Sequence, residues 1–318
     1  MRGVPRNPYY GAMFQRASIV GPRKGIRRLS DNVAVITGAA SGIGRALAVG
    51  LEAKGCHLAL VDIDAEGLEH VRRELGGSLQ RVTTHVANVA DRTRMRDLAG
   101  EVAQVHGAVH VLINNAGISH EAAFPQTPLD DWERIVGVNL WGVIHGCHFF
   151  MPYLAKTERA HIVNLSSMLG IIAMPGQTAY STTKFAVRGF SEALAEELRA
   201  TTVGLTVVYP GAVATNILRR ARGDDPELLR RLEQWYERSA MPPERAAARI
   251  IRAIEKGSPR LLISAETVFG DLARRLMPVV GNTLVVNTII RVMGVEYMRA
   301  KRLARWRETM IEGKAEAP

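Results

Sequence analysis

Acid is missing from the first thirty residues. Arg2, Arg6, Arg16, Arg23, Lys24, Arg27 and Arg28 stand there without one Asp or Glu, so this stretch holds +7 of the net charge of +10 and leaves +3 for the rest of the chain. It also lacks the continuous apolar core of a secretory signal, and a flexible basic arm over 1–30 is expected, with weak anion binding or an organelle presequence as the other readings. No aromatic-interleaved basic patch accompanies it, so no nucleic-acid partner is expected. Cysteine is scarce: Cys56 and Cys147 are the two, at no metal-type spacing, which points to buried reduced thiols, a cytoplasmic setting and no metal. His145 and His148 lie three apart on one helical face, without a carboxylate or cysteine at ligand spacing. Repeats and low-complexity linkers are absent too. The most apolar stretch, LMPVVGNTLVVNTIIRVMGV over 276–295, is interrupted by Pro278, Gly281, Asn282, Asn287 and Arg291, which argues against a membrane-spanning helix.

What is present is an alternation of short apolar runs with amphipathic ones. Of the 318 residues, 47% are hydrophobic, enough for one large core. Strand patterns fall near Val33, His57, Arg81, Val109, His161, Gly204 and Arg260, separated by helical patterns. The expected fold class is α/β: a doubly wound, seven-stranded, mainly parallel sheet with helices on both faces. The first strand, VAVIT, runs into Gly38, Ala39, Ala40, Ser41, Gly42, Ile43 and Gly44 and then a helical run from Arg45. Small residues in such a turn let the backbone approach a pyrophosphate, whose charge is favoured at a helix N-terminus. The next strand ends at Asp62, about 20 residues on, where a dinucleotide fold places the acid that meets the adenosine ribose.

Downstream, Tyr180 and Lys184 are one helical turn apart in YSTTK, so phenol and ammonium share a face. A nearby cation favours phenolate and brings a tyrosine's proton transfer toward neutral pH. Ser166 and Ser167 end the buried-strand pattern HIVNLSS, at the sheet edge where ligands bind in open α/β folds.

The ordered set TGAASGIG, NNAG (Asn114 to Gly117), Asn139, Ser167, Tyr180, Lys184 and the pair Pro210 and Gly211 resembles the short-chain dehydrogenase/reductase family, from about Val33 to Leu261. The resemblance implies a Rossmann fold and an oxidoreductase that interconverts a secondary alcohol and its ketone by hydride transfer with a nicotinamide. It makes Tyr180 the general acid/base, Ser167 the residue that polarises the substrate oxygen, and Lys184 the partner of both tyrosine and ribose. Ser167 is preferred to Ser166 because thirteen residues separate it from Tyr180. Asn139 is implied as the helix asparagine whose backbone holds a water next to the lysine; a local kink is the other reading. The implied cofactor residues are Gly38, Ser41, Gly42, Ile43, Gly44, Asp62, Asn88, Val89, Asn115, Ala116, Gly117, Tyr180, Lys184, Pro210, Gly211, Val213 and Thr215. Asp62 repels a ribose phosphate, and Ser41 and Ile63 stand where a basic residue would accept one, so NAD is expected over NADP. Asn88 departs from the aspartate usual near the adenine.

The substrate end is less determined. A lid is expected over about 216–242, with Leu218, Leu228, Leu229, Leu232, Trp235 and Tyr236 at helical spacing, read either as core or as cavity wall. With Met168, Leu169 and Met174 they suggest a bulky or hydrophobic small-molecule alcohol or ketone. The Rossmann domain is expected over 31–265 and a helical extension over 266–318. In the extension Thr283, Asn287 and Arg291 form a polar stripe, while Val285, Val286, Ile289, Ile290 and Met293 form an apolar face. That face needs a cover: the chain's own domain, a partner subunit, or a membrane surface met peripherally through flanking Arg274, Arg275, Arg299, Lys301, Arg302, Arg305 and Arg307. The family resemblance implies a homodimer or homotetramer through helices near Trp132 to Leu154 and Ala179 to Arg199. A cofactor-binding scaffold that retains the fold is the alternative function.

Overall fold

The computed structural model describes residues 24–76, 81–217, 221–223, 225–295, 304, 306 and 307. Seven parallel strands form its centre: β1 (Val33–Thr37), β2 (His57–Asp62), β3 (Val82–Val86), β4 (Val111–Asn114), β5 (Ala160–Leu165), β6 (Val203–Tyr209) and β7 (Arg260–Leu262). Their order is β3-β2-β1-β4-β5-β6-β7. β1, β5 and β6 are buried at every position, as expected of mostly apolar strands covered on both faces, with Thr37, His161, Asn164 and Thr206 buried among them. The chain winds outward from β1 through β2 to β3 and then returns to place β4 on the other side of β1. That reversal opens a crevice at the carboxyl ends of β1 and β4.

Helices α1 (Gly42–Glu52), α2 (Ala65–Leu75) and α3 (Arg92–His106) follow the first three strands. Asp64 and Asp91 cap α2 and α3 by accepting from Gly67 N at 2.9 Å and Arg94 N at 2.9 Å. After β4 come α4 (Leu129–Val136) and α5 (Gly142–Leu154), joined by one π turn at Gly137–Trp141, so the long helix expected here is interrupted at Asn139. Next are α6 (Thr178–Glu197), α7 (Pro226–Ser239), α8 (Pro243–Lys256), α9 (Ala265–Leu276) and α10 (Gly281–Val292). One face of the sheet buries Met95, Leu98, Phe150 and Val187, the other Leu47, Leu51, Ile250 and Ile254.

The arm departs from expectation, and the extension takes the first of the three covers open to it. The arm was expected to be flexible to residue 30, yet Ile26 and Leu29 are buried, Ile26 N donates to Ile254 O at 3.1 Å, and Lys24 Nζ donates to Leu198 O at 2.5 Å. Two apolar side chains within its last seven residues give that segment a reason to pack. The remainder of the arm, 1–23, lies outside the described residues. In the extension, Val285, Val286 and Ile290 are buried in the main core, so the face read as a membrane contact is covered by the protein's own domain. Asn282 fixes this docking: its Oδ1 accepts from Ala173 N at 2.8 Å and its Nδ2 donates to Ala173 O at 3.0 Å. Of the flanking cations, Arg299, Lys301, Arg302 and Arg305 lie outside the described residues.

Candidate active site

The crevice at the β1/β4 switch is one cavity of about 960 Å³. Its nucleotide-sized end starts at the glycine turn, where Gly38 (φ +67°) and Gly42 (φ +54°) adopt backbone conformations that side chains resist. A Cβ on Gly44 would sit 2.0 Å from Gly38 O, so this glycine lets α1 close onto β1; it does not line the cavity. Asp62 is anchored by backbone: Oδ2 accepts from Ala40 N at 3.0 Å and Oδ1 from Asp64 N at 3.1 Å. Arg45 is drawn away from the ribose position by a bidentate pair with Glu74 at 2.7 and 2.6 Å. Asn115 clamps the turn, its Nδ2 donating to Thr37 O at 2.8 Å and Gly38 O at 3.0 Å. Thr37, which opens the TGAASGIG motif but was given no role of its own, completes the clamp by accepting from Asn115 N at 3.0 Å and Ala116 N at 3.1 Å. Asn88 lines the cavity with its Oδ1 already accepting from Ala90 N at 3.0 Å. Ser41, Ile43, Val89, Ala116, Gly117, Pro210, Gly211, Val213 and Thr215 line it as well.

Where β5 ends, Ser167 and Tyr180 meet. Ser167 Oγ accepts from Leu169 N at 3.1 Å and stands beside the phenol, and both residues line the cavity. Ser166 lines the cavity too, but its hydroxyl is committed, donating to Lys184 O at 2.8 Å, and so secures α6 to the end of β5. Lys184 is 4% exposed; its Nζ donates to Leu165 O at 3.0 Å and lies 5.6 Å from the centre of the Tyr180 ring. Burial lowers the Lys184 ammonium from 10.5 to about 8. The expected lowering of the phenol is not found. Burial pushes Tyr180 up to about 12, against the opposing pull of Ser167 and with a further push from the Glu121 carboxylate. Desolvation of a phenolate outweighs one hydroxyl donor, and the ammonium, held by Leu165 O, does not offset it.

Asn139 does not reach the cavity wall. It is fully buried, with Oδ1 accepting from Ile118 N at 2.9 Å and Nδ2 donating to Ile118 O at 2.9 Å and Thr183 Oγ1 at 3.1 Å. It therefore ties the chain after β4 to α6, and a Cβ on Gly117 would lie 3.3 Å from its Oδ1 and 3.5 Å from Lys184 Nζ. A buried ladder behind the site was not foreseen: Asn114 Nδ2 donates to Asn164 Oδ1 at 2.8 Å, and Asn164 Nδ2 to Ser191 Oγ at 3.0 Å. Cys147 lies against it, and burial pushes its thiol up to about 12.

The other end of the cavity is apolar. Leu228, Leu232 and Tyr236 of α7 recur every fourth residue and serve both readings, packed into the core and lining the cavity. Leu218 lies outside the described residues. Met168, Leu169 and Met174 form the wall after Ser167, and the extension supplies Ile289, Ile290 and Met293. Two-residue strands His120–Glu121 and Arg222–Gly223 pair in parallel and hold part of the lid segment to the loop after β4. Arg222 Nη1 reinforces them, 2.9 Å from Asp131 Oδ1.

The family model described as short chain dehydrogenase matches residues 32–226, and the chain belongs to that family. It is 39% identical over 249 residues to SadH of Mycobacterium tuberculosis, assigned as an oxidoreductase, covering 77% of this chain and 90% of that protein. It is 37% identical over 188 residues to the 3-oxoacyl-[acyl-carrier-protein] reductase FabG of Thermotoga maritima, covering 59% and 76%. Among solved structures, a short chain dehydrogenase/reductase from Burkholderia phymatum in complex with NAD superposes with a TM-score of 0.72 at 30% identity, covering 79% of this chain and 95% of that one.

Proposed function

We propose that this oxidoreductase interconverts a bulky, apolar secondary alcohol and its ketone, with NAD preferred to NADP. The observation that carries the reading is the meeting of Ser167, Tyr180 and Lys184 at the junction of the nucleotide-sized and apolar ends of one cavity. Asp62, Gly38, Gly42 and Thr215 would hold the dinucleotide, whose nicotinamide supplies or accepts the hydride. Tyr180, held protonated by burial, donates its proton to the substrate oxygen in reduction and takes it back in oxidation. Ser167 orients that oxygen, and the Lys184 charge favours the phenolate left by proton transfer. Asn139 acts as a positioning residue behind Lys184.

The Asp62 carboxylate, aimed at the glycine turn, supports the NAD preference by accepting from ribose hydroxyls and repelling a phosphate. Apolar walls from α7 and α10 support the bulky substrate. A homodimer or homotetramer through the α4–α5 and α6 helices is supported by Trp141, which is 51% exposed, with Leu140, Phe149, Tyr153, Phe190 and Leu194 only partly buried. The test is NADH-linked turnover across short, long-chain, aromatic and polycyclic alcohols and ketones with each dinucleotide, for wild type and Tyr180→Phe. The variant should lose about a thousandfold or more in turnover while binding NADH within about threefold of wild type. Comparable turnover in the variant would sink the mechanism, and NADH binding without turnover in wild type would favour a scaffold.

A further inference from the structure

Within the apolar end of the cavity stands one group of acceptors that the proton-transfer set does not use. Glu121 is 4% exposed and lines the cavity, and Gln177 Nε2 donates to its Oε1. The other amide atom, Gln177 Oε1, is buried with no hydrogen-bond partner. Backbone fixes both residues: Ala122 N donates to Gly176 O at 3.0 Å, Ala122 bridges to Gln177, and Glu121 pairs with Gly223. The Glu121 carboxylate opposes ionisation of both Tyr180 and Tyr236, which puts it within electrostatic reach of the reacting phenol and of the lid. A buried acceptor without a donor is costly, and in a cavity wall a ligand can satisfy it.

We propose that Glu121 and Gln177 form a second recognition point, which accepts a hydrogen bond from a hydroxyl carried by the substrate away from its reacting carbon. The preferred substrates are then apolar hydroxyketones and the corresponding diols. This rests on the oxidoreductase reading for its substrate class, but it concerns binding and is tested by binding. An apolar body fills the space between Met174, Leu228, Leu232 and Tyr236, while the second hydroxyl supplies the donor that Gln177 Oε1 lacks. A site built to hydrogen-bond a hydroxyl discriminates against the analogue without one, because its acceptors are then left unpaired.

Calorimetry on the full chain preloaded with NADH would compare a medium-chain methyl ketone with its monohydroxylated derivatives, the hydroxyl moved along the chain. At least one derivative should bind about 10- to 100-fold more tightly than the parent ketone. In Glu121→Gln that ratio should fall several-fold, and in Gln177→Met, which removes the unpaired acceptor without changing charge, it should fall as well. Gln177→Met carries the test if Glu121→Gln fails to fold. Derivatives that bind no better than the parent overturn the proposal, as does a variant that weakens parent and derivative equally. Loss of the catalytic reading through an active Tyr180→Phe leaves this ratio measurable, so the two failures are distinguishable.

Discussion

The nucleotide-sized and substrate ends of the cavity differ in where their polar groups go. At the first, Asn115, Thr37 and both oxygens of Asp62 are hydrogen-bonded to backbone, so the turn is held by the chain itself. At the second, Met168, Leu232 and Ile290 supply surface without direction, and the oriented groups argued to meet the substrate are Ser167, Tyr180, Glu121 and Gln177. The first end is a fixed socket whose shape depends on small residues. The second is a set of separate segments brought together by packing, so its shape changes by degrees.

The comparison breaks most visibly at Gly44. Ala there places a methyl 2.0 Å from Gly38 O, against backbone that has no rotamer to yield. Overpacking of this kind costs about 3 kcal/mol, and it displaces the glycine turn itself. Gly44→Ala should lower the midpoint of thermal unfolding and weaken NADH binding by about a hundredfold or more. Gly189→Ala is the control: it lies in α6 with nothing within 4 Å of the added methyl, and should be slightly more stable than wild type. An NADH affinity unchanged in Gly44→Ala would refute the socket.

Lys184 sits at the junction, and pH separates its two roles. Its folded pKa of about 8 lies below the ordinary 10.5, so the ammonium is lost in the folded protein before it is lost in the unfolded chain. Folding therefore bears the burial cost in full below pH 8 and is relieved of it as pH rises toward 10.5, by up to about 3 kcal/mol. Activity moves the other way. Because kcat/KM for NADH reports the free enzyme, it should fall above pH 8 by about tenfold per unit, whereas Tyr180 stays protonated to about 12. Lys184→Met should remove the part of the stability slope between 8 and 10.5 that wild type shows. Measuring kcat/KM and urea unfolding over the same pH range checks both signs, and a flat kcat/KM with unchanged stability would place the ammonium outside the chemistry.

The same division explains how much was legible in the sequence. Most of the socket lies close along the chain, in a strand, a turn and a helix start, so Gly38, Gly42 and Asp62 could be read from spacing, whereas Asn115, 77 residues from Gly38, came only with the family resemblance. Tyr180 and Lys184 share a helical turn, so their side chains could be placed together, but the direction of the tyrosine shift could not be read. It depends on burial and on Leu165 O, which takes the ammonium's hydrogen bond from the neighbouring strand end. Thr37 stood inside the TGAASGIG motif, but its clamp on Asn115 and Ala116 joins residues 78 and 79 positions apart and so could not be read from the motif. Glu121 and Gln177 lie 56 residues apart and are joined by a bridge between loops, which leaves no periodicity. The apolar face of α10 was legible, but its cover was not, because the pairing of Asn282 with Ala173 spans 109 residues.

The smallest effect belongs to the apolar wall and tests the graded half of the comparison. Leu232 is 8% exposed, packs in the core and also faces the cavity, so truncation removes contacts on both sides. Because the cavity already provides open space, Leu232→Ala should cost about 2 kcal/mol of stability, at the low end for a buried leucine. Its effect on catalysis should appear as a rise in KM for long or polycyclic substrates of about five- to tenfold, with kcat little changed and NADH affinity the same, since uniform binding surface is lost. Short alcohols, which do not reach α7, should be unaffected. A loss of kcat shared by short and long substrates would mean that the lid helix positions the proton-transfer set as well, and that the two ends are mechanically one.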